Sequence, residues 1–332
     1  MRKVLLTTTA LVALGGVSAA SAIDISGTYM FDYTINDNGT ANTGGNNNSA
    51  MGSDARIAFS GSSTTDAGIT FGGAYALSAG GGVEDQGIYM EGDFGYVMLG
   101  ATDGVVDNMD TFMHSASVVE VGAGTTNSGT TGPVAAGLNG SAILTDTATA
   151  EKVGYRSPEI SGFQFGISHQ DAGRTSKADN NQWIATYDFG VAKIGYASAT
   201  IGAAAGTEAK TKQTQYGFGT TFGDFGFKYA VGSDKTQSAA GLTTSSIDTI
   251  NYGFTYGGIE NVSLYYDGVN SEQKTGTASG NKLDGTTIGL SYTVAPGVSA
   301  LVESGNNDFT HATATSSNDQ SNYTRLGLSV DF

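Results

Sequence analysis

Apolar residues recur at every second position in short runs along most of the chain, the period of an extended strand whose two faces meet different surroundings. The first run is Ile23, Ile25, Tyr29, Phe31, Tyr33 and Ile35; Ala55, Ile57 and Phe59 open the second, and Ile69, Phe71, Tyr75 and Leu77 mark the third. Ile88 with Met90 and Val97 with Leu99 give two shorter strands, although Phe94, Tyr96 and Met98 alternate equally well and leave the register of 94–102 open. Later runs are cleaner, among them Trp183, Ala185, Tyr187 and Phe189; Ile250, Tyr252, Phe254 and Tyr256; and the final Thr324, Leu326, Leu328, Val330 and Phe332. Sixteen segments of this kind can be written out, and none of their apolar faces carries Asp, Glu, Lys or Arg. A lipid-facing surface imposes that exclusion, because an Arg or Lys at the bilayer midplane costs about 2 to 4 kcal/mol.

The connections alternate in length. Gly92-Asp93, Pro158 to Gly162, Phe189-Gly190-Val191, Gly223-Asp224, Gly257-Gly258 and Ala295-Pro296-Gly297 are short and rich in turn formers. Between them lie longer polar stretches at 36–51, 79–84, 103–150, 171–180, 201–212, 233–246, 270–282 and 306–321. The predicted fold is therefore all-β, a 16-stranded antiparallel transmembrane β-barrel with short turns on one rim and long loops on the other. Tyr29, Tyr75, Trp183, Tyr256 and Phe332 are the candidates for an aromatic girdle, since amphipathic rings favour the membrane interface. The connection 103–150 is out of proportion, and loops beyond about 15 residues are uncommon unless functional or disordered. Its first part, Gly104 to Met113, has enough apolar content to pack, so this long third loop is expected to fold into the pore and narrow it.

Arg2 and Lys3, the apolar stretch Val4 to Val17 and the small residues Ala20-Ser21-Ala22 read as a secretory signal peptide at 1–22, leaving one barrel domain at 23–332. Removing Arg2 and Lys3 changes the net charge from −16 to −18 (13 basic minus 31 acidic side chains). Such an acidic chain is a poor partner for nucleic acid, whereas acidic walls around a wet passage concentrate cations. The absence of Cys excludes disulfides and thiolate metal sites.

The segments Gly92-Asp-Phe-Gly-Tyr-Val-Met-Leu-Gly100, Gly104-Val-Val-Asp107 and Tyr155-Arg-Ser-Pro-Glu-Ile-Ser-Gly-Phe163, followed at the end of the chain by Phe332, resemble in this order the general diffusion porins of Gram-negative bacteria, of the alphaproteobacterial trimeric type. The resemblance covers the mature chain in pattern. It implies a homotrimer in the cell outer membrane, in contact with lipid and lipopolysaccharide, passing ions and small hydrophilic solutes by passive diffusion. It also implies an eyelet in which loop carboxylates face basic wall residues. Arg56 and Arg156 match the family's basic positions, while Asp107 and Asp110, then Glu120, stand where the acidic partners would be. Alternation independently turns Arg56 and Arg156 away from lipid, together with Lys152, Lys193, Lys228 and Arg325. Thr28 and Ala101 occupy two positions that are often basic in the family, which thins the positive side and points to weak cation selectivity.

Enzymatic constellations are poor: His114, His169 and His311 lie on different elements, and no triad can be inferred. No cofactor is required for diffusion. Loop carboxylates offer the oxygen ligands that Ca2+ accepts, without an EF-hand spacing to specify it. The alternatives are a substrate-selective channel, and an adhesin-like or enzymatic barrel with functional surface loops.

Overall fold

Each period-two run forms one strand of a closed antiparallel barrel in the computed structural model, which describes residues 23–38, 48–109, 151–171, 179–202, 209–276, 279–312 and 319–332. The strands are β1 (Asp24–Asn38), β2 (Asn48–Thr64), β3 (Thr70–Ser78), β4 (Val83–Gly92), β5 (Gly95–Ala101), β6 (Glu151–Arg156), β7 (Phe163–Gln170) and β8 (Asn180–Asp188). They continue as β9 (Ala192–Gly202), β10 (Lys210–Phe222), β11 (Phe225–Gln237), β12 (Thr243–Ile259), β13 (Val262–Thr275), β14 (Lys282–Ala295), β15 (Val298–Thr310) and β16 (Asp319–Asp331). Every strand pairs with its sequence neighbours, and β1 pairs with β16. Closure leaves no edge strand, so the backbone polar groups of each strand find partners on both neighbours.

Phe332 completes the seam. Its N–H donates to Gly27 O at 3.0 Å and its carbonyl accepts from Gly27 N at 2.8 Å. The ring lies over Gly27, where a Cβ would stand 2.6 Å from the ring's edge, so the close approach requires glycine.

The outward rows are the expected ones. Tyr29, Phe31, Phe71, Ile88, Trp183, Phe254, Ile288 and Leu326 are all exposed, as a lipid-facing surface must be when the chain stands alone. The register left open in the sequence is settled by pairing: Val97 faces Tyr155 and Leu99 faces Val153 on the outer side, while Tyr96 and Met98 stand opposite Arg156 and Gly154 on the lumen side.

Several loops are shorter than alternation implied. The β11–β12 connection spans only 238–242 rather than 233–246, and β13 and β14 run to Thr275 and from Lys282. Beyond the lipid-facing band both faces are wet, so the side-chain alternation lapses while the hydrogen-bonded ladder continues. The turn assigned to Gly257-Gly258 is displaced to Glu260-Asn261, with Asn261 at φ 62°, a conformation its short polar side chain tolerates.

Strand length divides the barrel into two walls. β3 to β8 have six to ten residues each, whereas β9 to β16 with β1 and β2 have 11 to 17.

Candidate functional site

Along the apolar band, the inner face carries the charges that the outer face excludes. Arg56 projects inward from β2, in register with Thr28 and Ser78. Its Nε donates to Glu84 at 3.1 Å and its Nη2 to Asp85 at 2.8 Å. Two consecutive residues of a regular strand would point to opposite faces. Here the β3–β4 register shifts between Ala76 and Leu77, making Glu84 the extra residue of a bulge, and both carboxylates reach one guanidinium.

Arg156 stands at the turn end of β6, its guanidinium 4.9 Å from the centre of the Tyr96 ring, which in turn stacks on Tyr89 at 5.3 Å. Tyr96 is also in register with Glu91. Through Glu91 and Thr70 the Arg156 row reaches Thr64 on β2, eight residues (64 minus 56) from Arg56. The two arginines therefore share a wall and not a register row, each with its own partners.

The long connection begins on this inner wall. Helix α1 (Val105–Met109) packs against β6, β7 and β8. Val105, Val106 and Met109 are buried with the inward Ile184, Ala197, Ala199 and Ala230, and each such side chain contributes roughly 1.5 to 3 kcal/mol when fully buried. Small residues form the shelf. Gly166 lies beneath Met109 Sδ and Val105, at a distance that leaves no room for a Cβ. Polar contacts fix the root: Lys152 Nζ donates to Thr102 O at 2.6 Å, and Val105 N to Ser168 Oγ at 3.3 Å. Lys152 is thus inward as its alternation required, but buried as an anchor of the loop root. Asp107 falls on α1; its side chain, and Asp110 and Glu120 entirely, lie outside the described residues.

Lys193 and Lys228 project inward on either side of Gly219, each in register with it. They line a cavity of about 240 Å³ with Asp188, Thr221 and Thr255 near the short-turn rim. Arg325 is different again: it is buried at the barrel seam, with Nε 3.3 Å from Asp32 and Nη1 3.7 Å from Glu303. Tyr265 OH donates to the other oxygen of Glu303 at 2.6 Å, and Thr34 to Asp32 at 3.1 Å. The network spans β13, β15, β16 and β1 and ties the two ends of the chain.

Alternation placed all six basic residues on the lumen side. It missed their acidic partners Glu84, Asp85, Asp32 and Glu303. Asp32 and Glu303 lie on the charge-bearing side of their strands, so their inward direction was available from the pattern, but the pairing across the seam was not. The girdle candidates Tyr29, Tyr75, Trp183 and Phe332 are exposed on the outer face, and Tyr256 packs there on Phe225 at 4.7 Å. His169 also faces outward and shares a 2.8 Å hydrogen bond with Asn181. Among the described residues no group of three or more His, Asp or Glu side chains could hold a metal ion.

Solved structures with the same architecture are porins and related outer-membrane proteins. The anion-selective porin from Comamonas acidovorans superposes with a TM-score of 0.76 at 13% identity, over 94% of this chain and 100% of that one. The in-vitro folded, trimeric form of OmpT, an outer membrane protein of Vibrio cholerae, gives 0.74 at 14% identity, over 95% and 100%. A mutant of the Rh. blastica porin gives 0.56 at 17% identity, over 93% and 100%. No curated protein matches the chain in sequence. The profile of the Gram-negative porin family, however, matches residues 7–330, and with the closed barrel and its charged inner wall this places the chain among the Gram-negative porins of the outer membrane.

Proposed function

We propose that the protein is a trimeric diffusion channel for ions and small hydrophilic solutes, weakly cation-selective, with no covalent step and no coupling to energy. One observation carries this reading: an apolar, charge-free band on the outer face and an ionic inner face on the same sixteen strands, outward charges such as Lys212 and Lys274 standing only at the long-loop ends, a division that a wet passage through lipid makes useful. Opposed charges across a narrow wet gap create a transverse field that small polar solutes can follow, while apolar solutes must displace ordered water. The docking of α1 on the inner wall supports a loop that continues inward, with Asp107, Asp110 and Glu120 as the carboxylates facing Arg56 and Arg156. Cation preference is supported by the acidic balance of the chain, and by Asp54 and Glu91, which face the lumen with no ion pair among the described residues.

The trimer is supported by the low wall. A transmembrane strand needs about 9 to 11 residues, and β5, β6 and β7 have seven, six and eight. Leu99, Val153 and Ile167 are exposed on that wall and need cover from protein rather than from lipid alone. The lipid-facing remainder would carry the aromatic girdle, residues 1–22 would be removed on export, and loop carboxylates would take Ca2+ only as an accessory ion.

Planar-bilayer recording tests the proposal. The expected result is ohmic conductance appearing in groups of three equal steps; a folded barrel that inserts and never conducts overturns it in favour of an adhesin-like or enzymatic barrel.

A further inference from the structure

On its outer face the β10–β11 hairpin is graded from apolar to cationic. Starting at the short turn, successive outward pairs are Phe222 with Phe225, Thr220 with Phe227, Phe218 with Tyr229, Tyr216 with Val231, Thr214 with Ser233, and Lys212 with Lys235. The two lysines are exposed and directly opposite one another. Like charges facing across a strand pair repel, and neither lysine makes an ion pair among the described residues. The same face of the molecule supplies the contrast. On β13 and β14 the outward lysines Lys274 and Lys282 both approach Glu272, at 2.6 and 3.8 Å. One pair of outward lysines shares an acidic partner within ion-pair distance; the other makes no ion pair among the described residues, the outward Asp248 standing one row away opposite Ser233.

Tyr216 lies four residues below Lys212, about 13 Å along a strand that rises about 3.3 Å per residue. With the strand tilt of a membrane barrel, the lysines stand at headgroup height above the apolar band, and Thr214 lies between. We propose that Lys212 and Lys235 together bind the phosphate of a phosphorylated glycolipid in the outer leaflet. Its acyl chains would lie along Tyr216, Val231, Phe218 and Tyr229, and its sugar hydroxyls would meet Thr214. A phosphate between the two ammonium groups accepts charge-assisted hydrogen bonds from both and cancels their repulsion. The inference rests on the proposed function and takes the long-loop rim as the one at the outer leaflet. The β10 and β11 strands belong to the tall wall, away from the low wall assigned to the trimer contact.

The test is native mass spectrometry of the oligomer, delipidated and then titrated with diphosphoryl lipid A, its dephosphorylated form, or inorganic pyrophosphate. Diphosphoryl lipid A should bind at least about tenfold more tightly than either of the others, a difference of about 1.4 kcal/mol. Lys212→Ser with Lys235→Ser should remove that preference, Lys212→Arg with Lys235→Arg should restore it, and Lys274→Ser should leave it unchanged. Equal binding of the phosphorylated and dephosphorylated lipids overturns the proposal even if no variant folds, and so does pyrophosphate binding as tightly as lipid. Conductance of the double serine variant is the independent readout: it should match the parent, and a parent that does not conduct defeats the channel reading while leaving the lipid result standing.

Discussion

The low wall of β3 to β8 and the tall wall of β9 to β2 use charge in opposite ways. On the tall side, Arg325, Asp32 and Glu303 are buried together, and the network joins strands from both ends of the chain. Near the low side, Arg56, Glu84 and Asp85 meet in the open, with Arg56 44% exposed, on a bulge that aims two acids at one base. A buried network fixes the barrel; an exposed one leaves its charges available to the water and solutes in the lumen. The same ion-pair chemistry is a clasp in one place and a pore lining in the other, and burial decides which.

The sharpest way to break this contrast is to remove the bases one at a time. Arg325→Leu leaves two buried carboxylates without their counter-charge, and breaking a buried pair costs about 3 to 5 kcal/mol. The folded barrel should lose its heat-modifiable gel mobility at a markedly lower temperature, while selectivity of the surviving channels stays near the parent's. Unchanged thermal stability would mean that the seam is held by its backbone ladder alone.

The walls should also differ outside. Leu99 on β5 and Ile288 on β14 are both exposed outward. An Arg facing lipid near mid-bilayer costs about 2 to 4 kcal/mol, so Ile288→Arg should impair membrane insertion and leave the oligomer intact once formed. Leu99→Arg should instead convert the unheated oligomer to monomers on gels. If both variants behave alike, the low wall is not the subunit contact.

How much of this could be read from the chain depends on what kind of information each feature needs. Alternation alone identified the outer rows, because lipid forbids charge at every position along them. It misplaced the loop boundaries, because above the membrane the ladder of β11 and β12 persists where the pattern stops. Arg56 was legible as an inward residue. Its partners were not: Glu84 fell in a stretch read as loop, and only the bulge brings it to the same side as Asp85. The clasp of Arg325 with Asp32 was hidden because β1 and β16 become neighbours only on closure. The apolar residues of Gly104 to Met113 did signal packing, and Val105, Val106 and Met109 supply it, but the acidic half of the expected constriction lies outside the described residues.

Two smaller effects sharpen the account of the lumen. Gly166→Val would push against Met109 and Val105, and overpacking of this kind costs about 1 to 3 kcal/mol. Displacing the loop root in this way should raise single-channel conductance and the size limit for neutral solutes; a smaller conductance would place the root away from the conducting path. Arg56→Ser should barely alter stability, since exposed pairs contribute about 0 to 1 kcal/mol. Its effect belongs to ion selectivity instead.

That effect tests the central claim most directly: reversal potentials across a salt gradient, parent against Arg56→Ser, at high ionic strength where the Debye length is about 3 Å and distant rim charges are screened. Losing the guanidinium leaves Glu84 and Asp85 uncompensated on the lumen wall, so the parent should be weakly cation-selective and the variant distinctly more so. An unchanged reversal potential in Arg56→Ser, with selectivity that moves only when outward rim charges are altered, would show that the inner wall does not govern permeation.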